Sequence, residues 1–549
     1  MQVRQRKYEP YCVEWCKQKR FGTANLVQLL RQREQGDRKE GSHFVRGSRE
    51  FYFSLPIVRS EFVVHRPQIF PLRFTPCGDK LIAIGANLQE IQLFTYRGFR
   101  YGTNQTGDEL FNAVFPRCQT VQFWNVANAA ASANGRSTER VQFGFLSREC
   151  AFVTPDSRFL IVCASVSVPE SKANFRAILQ HFRTTKSLSP DKNLADITFY
   201  SVDLNKAQLV DRHKFDSDQI TAQSGVYLSE WTLAILSVQH QTVHMVGIDK
   251  CSGQFVPLMK IGHSVMADDQ MIGAGHLISP RTERCFTAFR QRFLTFLCRE
   301  HQRKGQIQQF LHHFDFFRNL KMQKLQFVGP ELLLIRMDLN GADSSSLSST
   351  LPSSSQSSTG HHHHMFVLLE WRIGRIVGAF NRSSDALFDV FERHNEQFRN
   401  GHLARTMFPN SMEHCGPARE QHVFVKHSSL LAASVSDVRR RFLAVLPFAN
   451  TQHFVSSPYL DPNLFNYDDK LVNLIEKGRY PPDQPLKIFS RRTKNLHTKL
   501  DFRVSAAKSL SYTRVLFHPI DPFVMSISRG IQPETLISFH VPGSPDQIF

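Results

Sequence analysis

The sequence predicts a mainly β fold: a β-propeller-like ring of short antiparallel blades, with helical insertions and an N-terminal helical arm. Three observations carry this. First, residues 74–94 (FTPCGDKLIAIGANLQEIQLF) set a Pro/Gly turn before the apolar run Leu81, Ile82, Ala83 and Ile84. A polar break follows, then an alternating run in which Ile91 and Leu93 flank Gln92. That is strand, tight connection, strand. Second, the same pattern returns twice. Pro155 stands where Pro76 stands, with Leu160, Ile161, Val162 and Cys163 in the places of Leu81 to Ile84. Phe517, His518 and Pro519 repeat the spacing of Phe74, Thr75 and Pro76, ahead of Val524, Met525 and Ile527. Third, short strands recur without an alternating helical pattern, which suits all-β architecture. The first two copies are spaced like blades, whose unit is roughly 40–45 residues. A blade cannot bury both faces alone, so such units imply a ring; three unrelated buried hairpins are the competing reading.

The chain divides into four parts. Residues 1–50 form a basic arm, with twelve Lys/Arg against six Asp/Glu. Inside it Asn25 can cap a short helix, with Leu26, Val27, Leu29 and Leu30 as an apolar stripe closed by Arg31 and Arg33. About three turns are marginal in isolation. The helix either packs on its own domain or docks in a partner's groove. Residues 51–340 are the first part of the propeller, with strands at 62–64, 121–124, 197–200, 233–236, 243–246 and 293–296 and a helical insertion at 301–324. Residues 341–364 are low-complexity, serines running into His361–His364, and are expected to be a disordered loop. Residues 365–549 hold a helical insertion capped by Ser383 or Ser384 and the remaining blades. The last strands are expected to pair with N-terminal ones and close the ring.

Composition narrows the function classes. With 549 residues, 41% hydrophobic and 11% aromatic content, the chain can bury a large core. A net charge of +19 favours acidic partners. Ten cysteines at irregular spacing, several in apolar runs such as Cys163, Cys285 and Cys298, read as reduced thiols of a cytosolic or nuclear protein. The N-terminal MQVRQRKYEP has no apolar stretch behind it, and no apolar run approaches the ~20 residues of a membrane helix.

Catalytic patterns are missing from the sequence: no phosphate loop, no G-x-S-x-G elbow, no H-E-x-x-H pair and no G-x-G-x-x-G turn. No catalytic residue, cofactor site or metal site is therefore assigned, and the His tract and the Cys12/Cys16 pair lack the fixed ligands that structural zinc demands. Basic clusters at Arg439, Arg440 and Arg441 and at Arg491, Arg492 and Lys494 are candidate phosphate-binding surfaces. A solvated face is the commoner reading of such runs.

One set of motifs is more specific. Ser457-Pro-Tyr-Leu-Asp461, Leu464-Phe465 and Tyr467-Asp468-Asp469-Lys470 resemble the C-terminal region of the de-etiolated-1 family. Leu233 to Gln239, Arg318 to Met322, Phe398-Arg399-Asn400, and Phe517-His518-Pro519 with Asp521-Pro522-Phe523 extend the resemblance, and Asn25, Leu26, Val27, Leu30 and Arg33 are similar to the family's early helix. The resemblance implies a nuclear, non-catalytic component of a cullin-4-type RING ubiquitin ligase. Its implied partners are the damaged-DNA-binding adaptor protein and a constitutive-photomorphogenesis-type RING ligase, and its implied role is repression of transcription. The basic charge and Ser/His-rich loop resemble the insect abnormal-oocyte branch, which implies histone genes, histones or DNA as the alternative target.

Overall fold

The computed structural model describes residues 61–65, 69–99, 108–123, 144–167, 194–262, 284–286, 289–339, 364–381, 384, 386–387, 389–390, 459, 465–466, 486–490, 495–500, 512–519, 521, 523–529 and 535–541. Their first strand, β1 (Glu61–His65), belongs to the last sheet. Blade 1 then runs β2 (Ile69–Phe74), β3 (Lys80–Gly85), β4 (Glu90–Thr95), β5 (Arg117–Gln122). Blade 2 is β6 (Phe145–Val153), β7 (Phe159–Ser167), β8 (Ala195–Asp203), β9 (Gln208–Asp218). Blade 3 is β10 (Val226–Ser229), β11 (Thr232–Ser237), β12 (Thr242–Ile248), β13 (Phe255–Gly262), with β14 (Arg284–Phe286) added in parallel on the outer edge. Blade 4 is β15 (Lys321–Phe327), β16 (Leu332–Asp338), β17 (His364–Glu370), β18 (Arg375–Asn381). The described part of blade 5 is β19 (Phe465–Asn466), β20 (Leu486–Ser490) and β21 (Leu496–Leu500). Blade 6 is β22 (Tyr512–Phe517), β23 (Val524–Arg529) and β24 (Thr535–His540), and β1 completes it by pairing antiparallel with β24. The protein is mainly β and propeller-like, and its latest strands do pair with an early one.

Successive side chains of a strand point to opposite faces, and here both faces meet a neighbouring sheet. In β3, Leu81 and Ala83 join a core shared with Met525, Ile537 and Phe539 of blade 6, while Ile82 and Ile84 join Leu160 and Val162 of blade 2. In β7, Leu160 and Val162 face blade 1 and Ile161 and Cys163 face blade 3. In β11, Leu233 and Ile235 face blade 2 and Ala234 and Leu236 face blade 4. The central run of the second strand in each of these blades is thus continuously apolar because it is covered on both sides. Each fully buried aliphatic side chain contributes about 1.5–3 kcal/mol.

The three repeated turns are equivalent in structure and lie in three different blades. The amide of Thr75 donates to the carbonyl of Lys80 at 2.8 Å, that of Thr154 to Phe159 at 2.9 Å, and that of His518 to Phe523 at 2.9 Å. In the first two the threonine hydroxyl also accepts the returning amide, Lys80 at 3.1 Å and Phe159 at 3.0 Å.

Three expectations are corrected. Residues 293–296 are not a strand but part of a helix spanning Phe289–Arg303, because Phe289, Phe293 and Leu297 recur every four residues and are all buried. Residues 321–324 are not helical but open β15, where Met322 and Leu325 enter the core between blades 3 and 4. His364 is not loop: it is buried and pairs with Asp338 in the register of β16 and β17. An unforeseen helix, α1 (Asp108–Val114), places Leu110, Phe111 and Val114 over the core between blades 6 and 1.

Candidate functional site

The residues that the sequence singles out for docking, Asn25, Leu26, Val27, Leu30 and Arg33, and the basic residues Arg439, Arg440, Arg441, Arg491, Arg492 and Lys494 lie outside the described residues. Among the described residues, no group of three or more His, Cys, Asp or Glu side chains could hold a metal ion, and no helix is long and apolar enough to cross a membrane.

The feature that stands out from the ring is the insertion between blades 3 and 4. It comprises α2 (Phe289–Arg303), α3 (Ile307–His312) and α4 (Phe314–Asn319). Phe289, Phe293 and Leu297 bury one face of α2, and Phe310 and Phe317 close over the same core, their rings stacked at 5.8 Å. His301 lies 5.8 and 6.0 Å from those two rings, and its Nδ1 is 2.8 Å from the Leu297 carbonyl. Gly305, at φ 68°, ends α2 and turns the chain into α3. The adjoining face of α3 and α4 is uncovered, although its Phe314 ring still lies 5.9 Å from Phe310. Ile307, Leu311 and Phe314, spaced one helical turn apart, are 38%, 64% and 36% exposed. Exposed Arg303 and Lys304 precede them, and Arg318 follows one turn after Phe314. Burial and the neighbouring Arg318 push the Arg290 guanidinium down to about 10, the mark of cations crowded together.

The residues that carry the resemblance occupy joints between elements. Tyr459 is fully buried and its ring lies 5.9 Å from Phe465 and 6.2 Å from His497, so Tyr459 and Phe465 supply core to blade 5. The 233–239 segment is β11 and its following turn, which is fixed by Ser237 donating to Asp218 at 2.7 Å. Gln241, just beyond it, clamps blade 4: its amide donates to the Met322 carbonyl at 3.1 Å and its oxygen accepts the Met322 amide at 2.6 Å. His518 joins blade 6 to blade 1. Its Nδ1 accepts the Asp521 amide at 2.8 Å, which leaves Nε2 to donate to the Gly78 carbonyl at 2.9 Å. Cys77, beside Gly78, donates its amide to Ser157 in the matching turn of blade 2 at 3.1 Å. The three repeated turns therefore touch in series along one rim.

A family model described as De-etiolated protein 1 Det1 matches residues 148–542, from blade 2 through blade 6. The chain belongs to the de-etiolated-1 family. It is 27% identical over 369 residues to the light-mediated development protein DET1 of Solanum lycopersicum, covering 61% of this chain and 67% of that protein. To the protein of the same name from Arabidopsis thaliana it is 25% identical over 394 residues, covering 63% and 70%. Solved structures with a partial likeness include the C-terminal WD40 domain of Sif2, at 7% identity and TM-score 0.26, covering 87% of this chain and 99% of that one. The WD40 domain of Toxoplasma gondii coronin is similar at 7% identity and TM-score 0.22, covering 90% and 89%. At such scores the architecture rests on the sheets themselves.

In this de-etiolated-1 family chain two histidines flank Phe215 at the joint between blades 2 and 3. The His244 ring of β12 lies 5.0 Å from Phe215 of β9, and Phe215 lies 4.9 Å from His213. Burial, with Lys260, His213 and His240 adding positive charge nearby, pushes His244 down to about 3. Burial also lowers His213 and His518 from the usual histidine range. In the unfolded chain these imidazoles titrate near 6.5. Their folded pKa is depressed, so their contribution is complete above about pH 6.5 and is lost as pH falls below it, for His244 down to about 3. Urea unfolding at pH 7.5 and pH 5.0 is expected to show up to ~2 kcal/mol less stability at pH 5.0 from His244. His244→Gln should flatten that difference; an unchanged slope in the variant would remove His244 as the cause.

Proposed function

We propose that this protein is a non-catalytic nuclear scaffold that recruits substrates to a cullin-4-type RING ubiquitin ligase and represses transcription, a role compatible with its membership of the de-etiolated-1 family. The observation that carries the reading is the family match across 148–542, which spans the joints that hold the blades in place. A rigid ring with a basic arm before it suits a scaffold, since its rim and faces present partners at fixed distances while the arm reaches an adaptor. The proposed partners are the damaged-DNA-binding adaptor protein and a constitutive-photomorphogenesis-type RING ligase. The adaptor contact is assigned to residues 25–34, where the sequence predicts a helix whose Leu26, Val27 and Leu30 would each contribute about 1.5–3 kcal/mol on burial in a groove. Changing Leu26 and Leu30 together to Asp is expected to abolish copurification with the adaptor while the melting temperature of the ring stays unchanged. Adaptor binding that survives the double change rules out the docking role, and a collapsed melt would make the helix a structural strut instead.

The net charge of +19 favours a second reading, a chromatin-associated repressor of histone genes that binds promoter DNA or histones. Affinity purification at moderate salt, with and without nuclease, separates the two. Ligase subunits retained after nuclease support the scaffold; loss of every partner supports the chromatin reading.

A further inference from the structure

We propose that the exposed face of α3 and α4 is a docking site for an acidic amphipathic segment of another protein. Ile307, Leu311 and Phe314 form an apolar stripe with the one-turn spacing that receives leucine-type anchors of a helix. The stripe adjoins the buried core, because its Phe314 ring lies 5.9 Å from Phe310, and Phe310 and Phe317 pack into the core with α2. Leu311 is 64% exposed although it directly follows Phe310, the residue by which this short helix is buried.

Charge identifies the occupant. Residues 289–319 hold six Lys/Arg against two Asp/Glu, and one of the two acids, Glu300, is already paired with Arg303 at 2.6 Å. Arg303 and Lys304 lie at one end of the stripe and Arg318 at the other. The chain's own arm at 1–50 is excluded by its twelve Lys/Arg against six Asp/Glu, and a second copy by a net charge of +19, because each would bring like charge to a basic rim. A segment with apolar anchors and carboxylates on its flanks satisfies both the stripe and the rim. This surface is separate from the helix at 25–34, so its assignment does not depend on the ligase reading.

The test uses the full chain and a fluorescent synthetic peptide with leucine at alternating three- and four-residue spacing among glutamates, alongside a twin with lysine in place of every glutamate. Fluorescence anisotropy is expected to show binding of the glutamate peptide that weakens with added salt, and no comparable binding of the lysine twin. Leu311→Asp should weaken it at least ~10-fold, a change of ~1.4 kcal/mol, with an unchanged melting temperature because the side chain is exposed. The paired change Arg303→Glu and Lys304→Glu should weaken binding at low salt and have little effect at high salt. The proposal is overturned if the glutamate peptide fails to bind, if the lysine twin binds equally, or if Leu311→Asp leaves affinity unchanged. Concentration-dependent self-association that Leu311→Asp abolishes would also overturn it, assigning the stripe to a second copy.

Discussion

Gly78→Ala is expected to destabilise the fold by about 2–5 kcal/mol. Gly78 sits at φ 81°, a left-handed conformation that costs an L-residue about 1–2 kcal/mol. A Cβ there would lie 2.6 Å from Cε1 and 2.7 Å from Nε2 of His518. That ring cannot yield, because it is fixed by hydrogen bonds at both nitrogens and lies 5.0 Å from Phe74 and 4.3 Å from Tyr96. Overpacking of this kind adds about 1–3 kcal/mol. The steric part requires the ring, so in a His518→Ala background the same change should cost only the backbone part, a non-additivity that a double-mutant cycle in urea measures. An equal penalty in both backgrounds would mean that the close approach is relieved elsewhere.

Truncation after Val515 is expected to remove cooperative unfolding altogether. It deletes β23 and β24, leaves β1 without its partner, and strips Met525, Ile537 and Phe539 from the core that blade 6 shares with blade 1. At about 1.5–3 kcal/mol for each buried side chain, the lost burial across Leu516 to Val541 exceeds the 5–15 kcal/mol by which ordinary domains are stable. Circular dichroism should show no sigmoidal melt. A transition within a few degrees of the full chain would mean that blades 1 to 5 are self-sufficient.

The repeated hairpins were legible because strands covered on both faces lose all polar alternation, and the Pro turns mark their start. The same logic extends to β11, where Leu233–Leu236 occupy the equivalent second strand without a Pro turn ahead of them, and to β16, where Leu333–Ile335 follow the turn at Gly329-Pro330. The start of the insertion was misread because Phe293 to Phe296 fits a strand in a four-residue window, and only the wider spacing of Phe289, Phe293 and Leu297 decides for a helix. The parallel edge strand β14 left no local signal, since its register is set by Met259 to Ile261 across a long connection. At the candidate site, aromatic spacing indicated a helical insertion, but which face of α3 and α4 is covered depends on α2 and blades 3 and 4. Composition cannot report that. His518 was legible as a family residue, whereas its role in seating Gly78 needed the juxtaposition of turns about 440 residues apart in sequence.

The pairing of Glu61 with His540 also sets the order in which this molecule can be made. Synthesis proceeds at ~5–20 residues per second, so on the order of half a minute to a minute and a half separates the emergence of β1 from that of its partner. During that time β1 has no sheet to join, and the face of β3 that carries Leu81 and Ala83 has no blade 6 to cover it. Contacts this distant along the chain also form slowly once the partners are present. The nascent protein therefore passes this interval with an open seam at blade 1, and β24, the last of the described strands, is the one that shuts it.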